Sequence, residues 1–270
     1  ELLLSIGFCI TGFTLFLLLR KKEHKLVHKF ALAILTLWFL RFVLFYLKVE
    51  VDLTNIPWLY FIDQNLFFLD GVFLFWFSKS LNKEKFFFVK ESIHLIPFVI
   101  AMLLTSSLFV TYTSAELNEI YHTAESQITT QSHIPSLLEI IFIVAILIQN
   151  VVYLFFGYKK ISQYNQNILS NYSTIDKIKI KWLPKFFTIW LILLVIPLII
   201  YFINYISPII DLNLIEPLVI FSLTTVSIYF SVHIINQYYA SFTLNKNKVN
   251  SQKVNQDELK ILYLKLQELM

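Results

Sequence analysis

Seven long apolar runs alternate with short polar stretches along this chain, at 2–19, 30–47, 58–77, 93–112, 137–158, 186–206 and 217–235. Each holds 18 to 22 residues, enough at about 1.5 Å per residue for a helix to cross a hydrocarbon core of roughly 30 Å. The basic residues sort into alternate gaps. Of the 22 Lys and Arg, 20 lie in the first, third and fifth gaps or after the last run. The second gap holds Lys48 alone, and the fourth and sixth hold none. Basic loops stay on the cytoplasmic side of a membrane. The pattern therefore predicts an all-α integral membrane protein, a seven-transmembrane helix bundle with its N-terminus outside and its C-terminus inside.

The outer gaps leave little room for a separate receptor domain. Those at 48–57 and 207–216 are short and carry Pro57, Pro208 and Pro217 at or beside them as helix breakers. Only 113–136 has length, and it gathers Glu116, Glu119, His122, Glu125 and His133 without an opposing cation. Carboxylates beside imidazoles suit a loop that responds to protons or cations, so these five are extracellular sensing candidates. Trp58, Tyr60, Tyr112, Tyr201 and Tyr205 are expected at the outer interface, and Trp76, Tyr158, Trp182 and Tyr238 at the inner one. With only four Gly in the chain, helix contacts should be made mainly by Phe, Leu and Ile.

Composition supports the lipid bilayer as the principal partner. The hydrophobic fraction is 57% and the mean hydropathy +0.67, above the roughly 45–50% of soluble domains. The net charge of +4 is spread over several loops and matches an anionic lipid surface rather than nucleic acid. Cys9 is the only cysteine, which rules out an intrachain disulfide and a cysteine metal site. The first run is followed by Arg20–Lys22 and lacks a small-residue cleavage site, so it reads as a membrane helix and not a signal peptide. A start at Glu1 and a stop at Met270 within a helix are expected to be cut ends of a longer protein.

Beyond the last run lies a polar linker. Asn255 followed by Glu258 has the spacing of a capping box, and Leu259, Leu262, Leu266 and Leu269 then recur at steps of three, four and three. That is a narrow apolar seam of the a/d type. It needs a partner: a second copy in a homodimer, a following domain, or the bilayer surface. The chain divides into a membrane sensor or anchor domain (1–240), a cytoplasmic linker (241–256) and the start of a signalling helix (257–270).

Four charges fall inside the runs: Arg41, Asp63, Asp70 and Glu139. Each costs about 2.5–3.5 kcal/mol at a helix centre on insertion scales, so such groups face partners or water. Runs two and three are joined by a short gap and should be antiparallel neighbours. At about 1.5 Å per residue, Arg41 lies roughly 16 Å above the inner end of its helix, with Asp70 and Asp63 about 10 and 20 Å above theirs. The guanidinium thus stands at a height between two carboxylates that share a face, seven residues apart. The expectation is an Arg41–Asp63 or Arg41–Asp70 pair, either a bridge orienting two helices or part of a ligand or proton site on the remaining acid. Glu139 sits close enough to an outer end to reach water. Asn65, Gln149, Asn150 and Asn204 are expected to hydrogen-bond across helices.

Catalytic patterns are missing from the sequence. It has no Gly-rich phosphate loop, nucleophile elbow or paired-His zinc helix, and His24 and His28 lack carboxylate company beyond Glu23. Asp63 and Asp70, about 10 Å apart along one helix, are too distant to share a proton as a catalytic dyad. The chain is read as a non-enzyme without cofactor or metal.

Two stretches resemble a known family. Phe68-Leu-Asp-Gly-Val-Phe-Leu-Phe-Trp-Phe-Ser-Lys-Ser-Leu-Asn82 is similar to its third span and exit, and Glu91-Ser-Ile-His-Leu-Ile-Pro-Phe98 to a His-x-x-Pro-Phe lead into its fourth. Lys177–Phe187 and the tail from Gln256 to Met270 extend the likeness. The family is the membrane-bound AraC-type transcriptional regulators of Bacteroidetes-like bacteria, and the resemblance is to their N-terminal seven-helix domain. Where the family commonly has Gly-Pro in span three, Gly71 is followed here by Val72. The resemblance implies a one-component regulator of the bacterial inner membrane. An unknown small ligand would be sensed in the bundle, and the tail would relay the signal to a helix-turn-helix DNA-binding domain not present in this chain. The alternatives are the sensor domain of a histidine kinase, or a small transporter or membrane enzyme working through Arg41, Asp63 and Asp70.

Overall fold

The computed structural model of the protein describes residues 2–20, 25–50, 58–82, 86–111, 137–171, 180–206 and 217–236. They form helices α1 (Leu2–Leu19), α2 (Leu26–Glu50) and α3 (Trp58–Leu81). A short α4 (Phe88–Glu91) then passes through a 3-10 turn (Ser92–Leu95) into α5 (Ile96–Thr111). The series ends with α6 (Leu137–Asn171), α7 (Trp182–Ile206) and α8 (Pro217–Asn236). The break between α4 and α5 has a local cause. Pro97 has no N–H to give to the carbonyl four residues back, so the chain tightens into the 3-10 turn before resuming as an α-helix.

One helical rod thus falls on each apolar run. Five meet the length and apolarity needed to cross a membrane, at Leu2–Leu19, Leu26–Leu47, Phe88–Ser107, Ile141–Asn167 and Pro217–Asn236. This is a multi-pass membrane protein. The other two are α3 and α7, the latter an apolar helix of 25 residues. α3 falls short of a simple span because it carries Asp63, Gln64, Asn65, Asp70 and Lys79. α3 can be polar because it is the central helix: α2, α5 and α6 pack around it, and Phe77 meets Phe230 of α8. Lipid-facing positions lie elsewhere, with Phe13, Leu103 and Phe155 each more than 60% exposed on α1, α5 and α6.

Helices overrun the apolar runs that nucleate them. α2 begins four residues early, and α6 continues through Lys159 and Lys160 to 35 residues, about 52 Å at the usual rise. Polar contacts fasten this extension. Asn165 makes two hydrogen bonds to the backbone of Ile180 at the start of α7, at 3.2 and 3.4 Å. Asn82, just past α3, donates to the Lys160 carbonyl at 2.9 Å. Trp76, expected at the inner interface, is instead buried among Phe30, Phe73 and Phe86.

Few as they are, the glycines sit at helix crossings. A Cβ on Gly7 would collide with Phe42, and one on Gly157 would come within 2.7 Å of Phe187. At Gly71 the obstruction is backbone: a Cβ would lie 3.2 Å from Cα and 3.0 Å from Oδ1 of Asn150. The absent side chain lets α6 approach α3 closely enough for Gln149 and Asn150 to bond to its main chain. Replacing Gly71 by Ala gains about 0.5–1 kcal/mol in helix propensity, which offsets part of the crowding. Leu has no such compensation. Gly71→Leu should lower stability by about 1–3 kcal/mol, read by thermal or SDS-induced unfolding in detergent, with Gly71→Ala close to the parent.

Candidate functional site

Three of the four charges within the apolar runs converge. Arg41 projects from α2 between the two carboxylates of α3. Its Nη1 donates to Asp70 Oδ2 at 3.0 Å, and its Nε faces Asp63 Oδ1 at 3.5 Å. The seven-residue spacing of the acids, nearly two helical turns, puts both on the side of α3 that meets α2. One guanidinium therefore serves both, where the sequence left open which acid it takes. Its plane lies over the Phe67 ring, 3.6 Å from Cζ to the ring centroid, a cation–π contact available from the same face of α3. Lys could not fill this role, because only a planar fork can serve two carboxylates and stack on a ring together.

All three residues are at most 2% exposed. The remaining oxygen of Asp70, Oδ1, accepts from Trp38 Nε1 at 3.0 Å. Trp38 lies three residues before Arg41, on the same face of α2. Nothing in its apolar character marked it as a hydrogen-bond donor to a charge. Arg41 Nη2 is buried without a hydrogen-bond partner among the described residues. The group thus contains two acids, one base and one unused donor in an apolar interior.

No family model matches the chain, and no curated protein or solved structure is similar to it. The site has to be read from its own chemistry.

Interhelical hydrogen bonds flank the charges. Gln149 Nε2 donates to Phe68 O at 2.9 Å, Asn150 Nδ2 to Phe67 O at 3.2 Å, and Asn65 Nδ2 to Thr105 Oγ1 at 2.8 Å. A second polar group was not singled out in the sequence as a site. Lys79 pairs with Glu91, whose other oxygen is 3.7 Å from His94 Nε2, while His94 Nδ1 meets the Tyr153 hydroxyl at 2.9 Å. With the ring proton on Nε2, facing Glu91, Nδ1 accepts from Tyr153. These contacts latch the α4–α5 segment to α3 and α6. Glu91 and His94 are three apart on one turn, a visible hint, but Tyr153 is a long-range partner that spacing could not supply.

Other candidates are not placed. The loop group Glu116, Glu119, His122, Glu125 and His133 and the tail leucines Leu259, Leu262, Leu266 and Leu269 lie outside the described residues, as does His24. Glu139 belongs to α6 and Asn204 to α7, but their side chains are not described. His28 is buried at the foot of α2. Among the described residues no cluster of three His, Cys, Asp or Glu side chains could hold a metal.

Removing the base isolates the acids. Arg41→Met should cost about 3–5 kcal/mol, as expected for breaking a buried ion pair from one side. Adding Asp63→Asn and Asp70→Asn to that variant should recover most of the loss. SDS titration of the three proteins checks the order.

Proposed function

We propose that this chain is the seven-span sensor and anchor domain of a one-component AraC-type transcriptional regulator of the bacterial inner membrane, oriented N-out and C-in. The observation that carries the reading is the group around Arg41. Besides registering α2 against α3, the group offers a ligand two carboxylates and a guanidinium with a spare donor in the bundle interior. A group of that kind is costly to bury unless its partners are well placed, and ionisable residues inside a membrane mark working sites by default. The motif order from Phe68 to Phe98 and the leucine seam of the tail support the regulator assignment.

In this reading a small polar ligand, or a change of charge, alters the contacts of Arg41 with Asp63 and Asp70. It acts through unequal affinity for two arrangements of the bundle. The helix bearing Leu259, Leu262, Leu266 and Leu269 carries the change to a cytoplasmic helix-turn-helix domain, with a homodimer formed along its seam. DNA is contacted only by that domain, and no residue of this chain is assigned a catalytic role. Glu139 and the outer loop group are secondary candidates for signal capture.

The gene decides the central point. Reading about 120 codons beyond Met270 should reveal two helix-turn-helix units; a kinase core there would turn the chain into a histidine-kinase sensor. A stop codon would overturn both, leaving a transporter or membrane enzyme built on the same charges. Orientation is checked separately by fusions. Green fluorescent protein after residue 240 should fluoresce and alkaline phosphatase there should be inactive, with phosphatase active when inserted between 113 and 136.

A further inference from the structure

We propose that Trp38 is a transmission residue, tying the state of Asp70 to the position of α8, the helix that runs into residues 237–270. This rests on the sensor reading above and names the device that reading requires. Both oxygens of Asp70 are in use, Oδ2 by the Arg41 guanidinium and Oδ1 by the Trp38 indole. The two donors are unequal. A charged guanidinium makes the stronger bond to a carboxylate, so when a ligand or a proton takes up part of Asp70, the neutral indole is the donor released.

Trp38 cannot lose that bond silently. It is fully buried, stacked on Trp190 of α7 with ring centroids 5.9 Å apart and edge-on to Phe230 of α8 at 5.4 Å. An indole N–H left unpaired there carries the full desolvation penalty of a buried donor. A replacement acceptor is close in sequence to its own contact. Ser227 and Ser231 lie three residues before and one after Phe230, both are at most 1% exposed, and their hydroxyls have no hydrogen-bond partner among the described residues. Buried hydroxyls without partners call for an explanation. Two positions of α8 supply one. In the first, the indole is held by Asp70 and the serines are unsatisfied. In the second, the indole turns to the serine face and α8 moves with it.

The way the helices are fastened fits this division of labour. α6 is bonded to α3 through Gln149, Asn150 and the Asn82 contact. α8 meets α2, α3 and α7 through aromatic faces and edges, with Thr224 donating to the Leu3 carbonyl of α1 at 3.2 Å. Ring contacts of this kind tolerate sliding, whereas side-chain bonds to a backbone fix the register.

The test is a distance across the bundle in the full chain, reconstituted in phosphatidylethanolamine–phosphatidylglycerol vesicles. Cys9 is replaced by Ser, spin labels are placed at Ser162→Cys on α6 and Asn236→Cys on α8, and the separation is read by pulsed electron resonance. Asp70→Asn should shift the mean separation by about 1–2 Å, the scale of helix shifts in switching proteins. Trp38→Phe, which keeps every charge but has no N–H to turn to the serines, should leave the separation at the parent value, and adding Asp70→Asn to Trp38→Phe should not shift it. An unchanged separation in Asp70→Asn overturns the proposal, as does an Asp70→Asn shift that survives in the Trp38→Phe background or with Ser227→Ala and Ser231→Ala. Where Asp70→Asn alone does not fold, the Arg41→Met/Asp63→Asn/Asp70→Asn protein, compared with and without Trp38→Phe, carries the same test. Because the readout is internal to the bundle, it stands apart from the regulator assignment. A shift in a protein whose gene ends at Met270 would uphold the relay and remove the DNA-binding role.

Discussion

An ion in an apolar interior must be paired from every side, and that demand organises the centre of this bundle. Arg41 meets most of it with two carboxylates from one face of α3 and the ring of Phe67 beneath, leaving Nη2 without a partner among the described residues. The arrangement sets the register of α2 against α3, because sliding either helix by one residue would turn the acids away from the base. It also requires α3 to be surrounded by protein. The polar residues of α3 therefore follow from its place at the centre of the packing. The same residues keep it from meeting the composition of a simple membrane span.

Packing around α3 is uneven in character. On the α6 side, a glycine allows close approach and amide side chains use main-chain carbonyls, which gives a contact defined in distance and register. On the α8 side, Trp38 and Phe77 meet Phe230 edge to face and Phe186 packs against it tilted. One side is suited to holding still and the other to changing position. The buried charges lie between them, linked to the second by a single indole N–H.

Much of this was legible in the sequence, for reasons of length and charge. Apolar runs located the seven rods because a membrane helix must be continuous and uncharged over most of its length. Helical rise alone placed Arg41 at a height between Asp63 and Asp70. Helix ends were less legible: polar residues such as Lys159 and Asn165 extend α6 in water as readily as they would form a loop. Trp38 was hidden because its role depends on which face of α2 meets Asp70, and an apolar run does not disclose its inward side. The Tyr153 end of the His94 latch was hidden by its distance along the chain. The scarcity of glycine was visible, but the crossings at which each one sits were not.

The length of α6 has a bearing on whatever adjoins the bundle. Its roughly 52 Å exceeds a hydrocarbon core by about 20 Å, and the surplus lies at the end clamped by Asn165 to Ile180 and by Asn82 to Lys160. The bundle thus carries a helical extension beyond its apolar run, and anything adjoining that end would be spaced from the apolar layer by helix instead of by a tether.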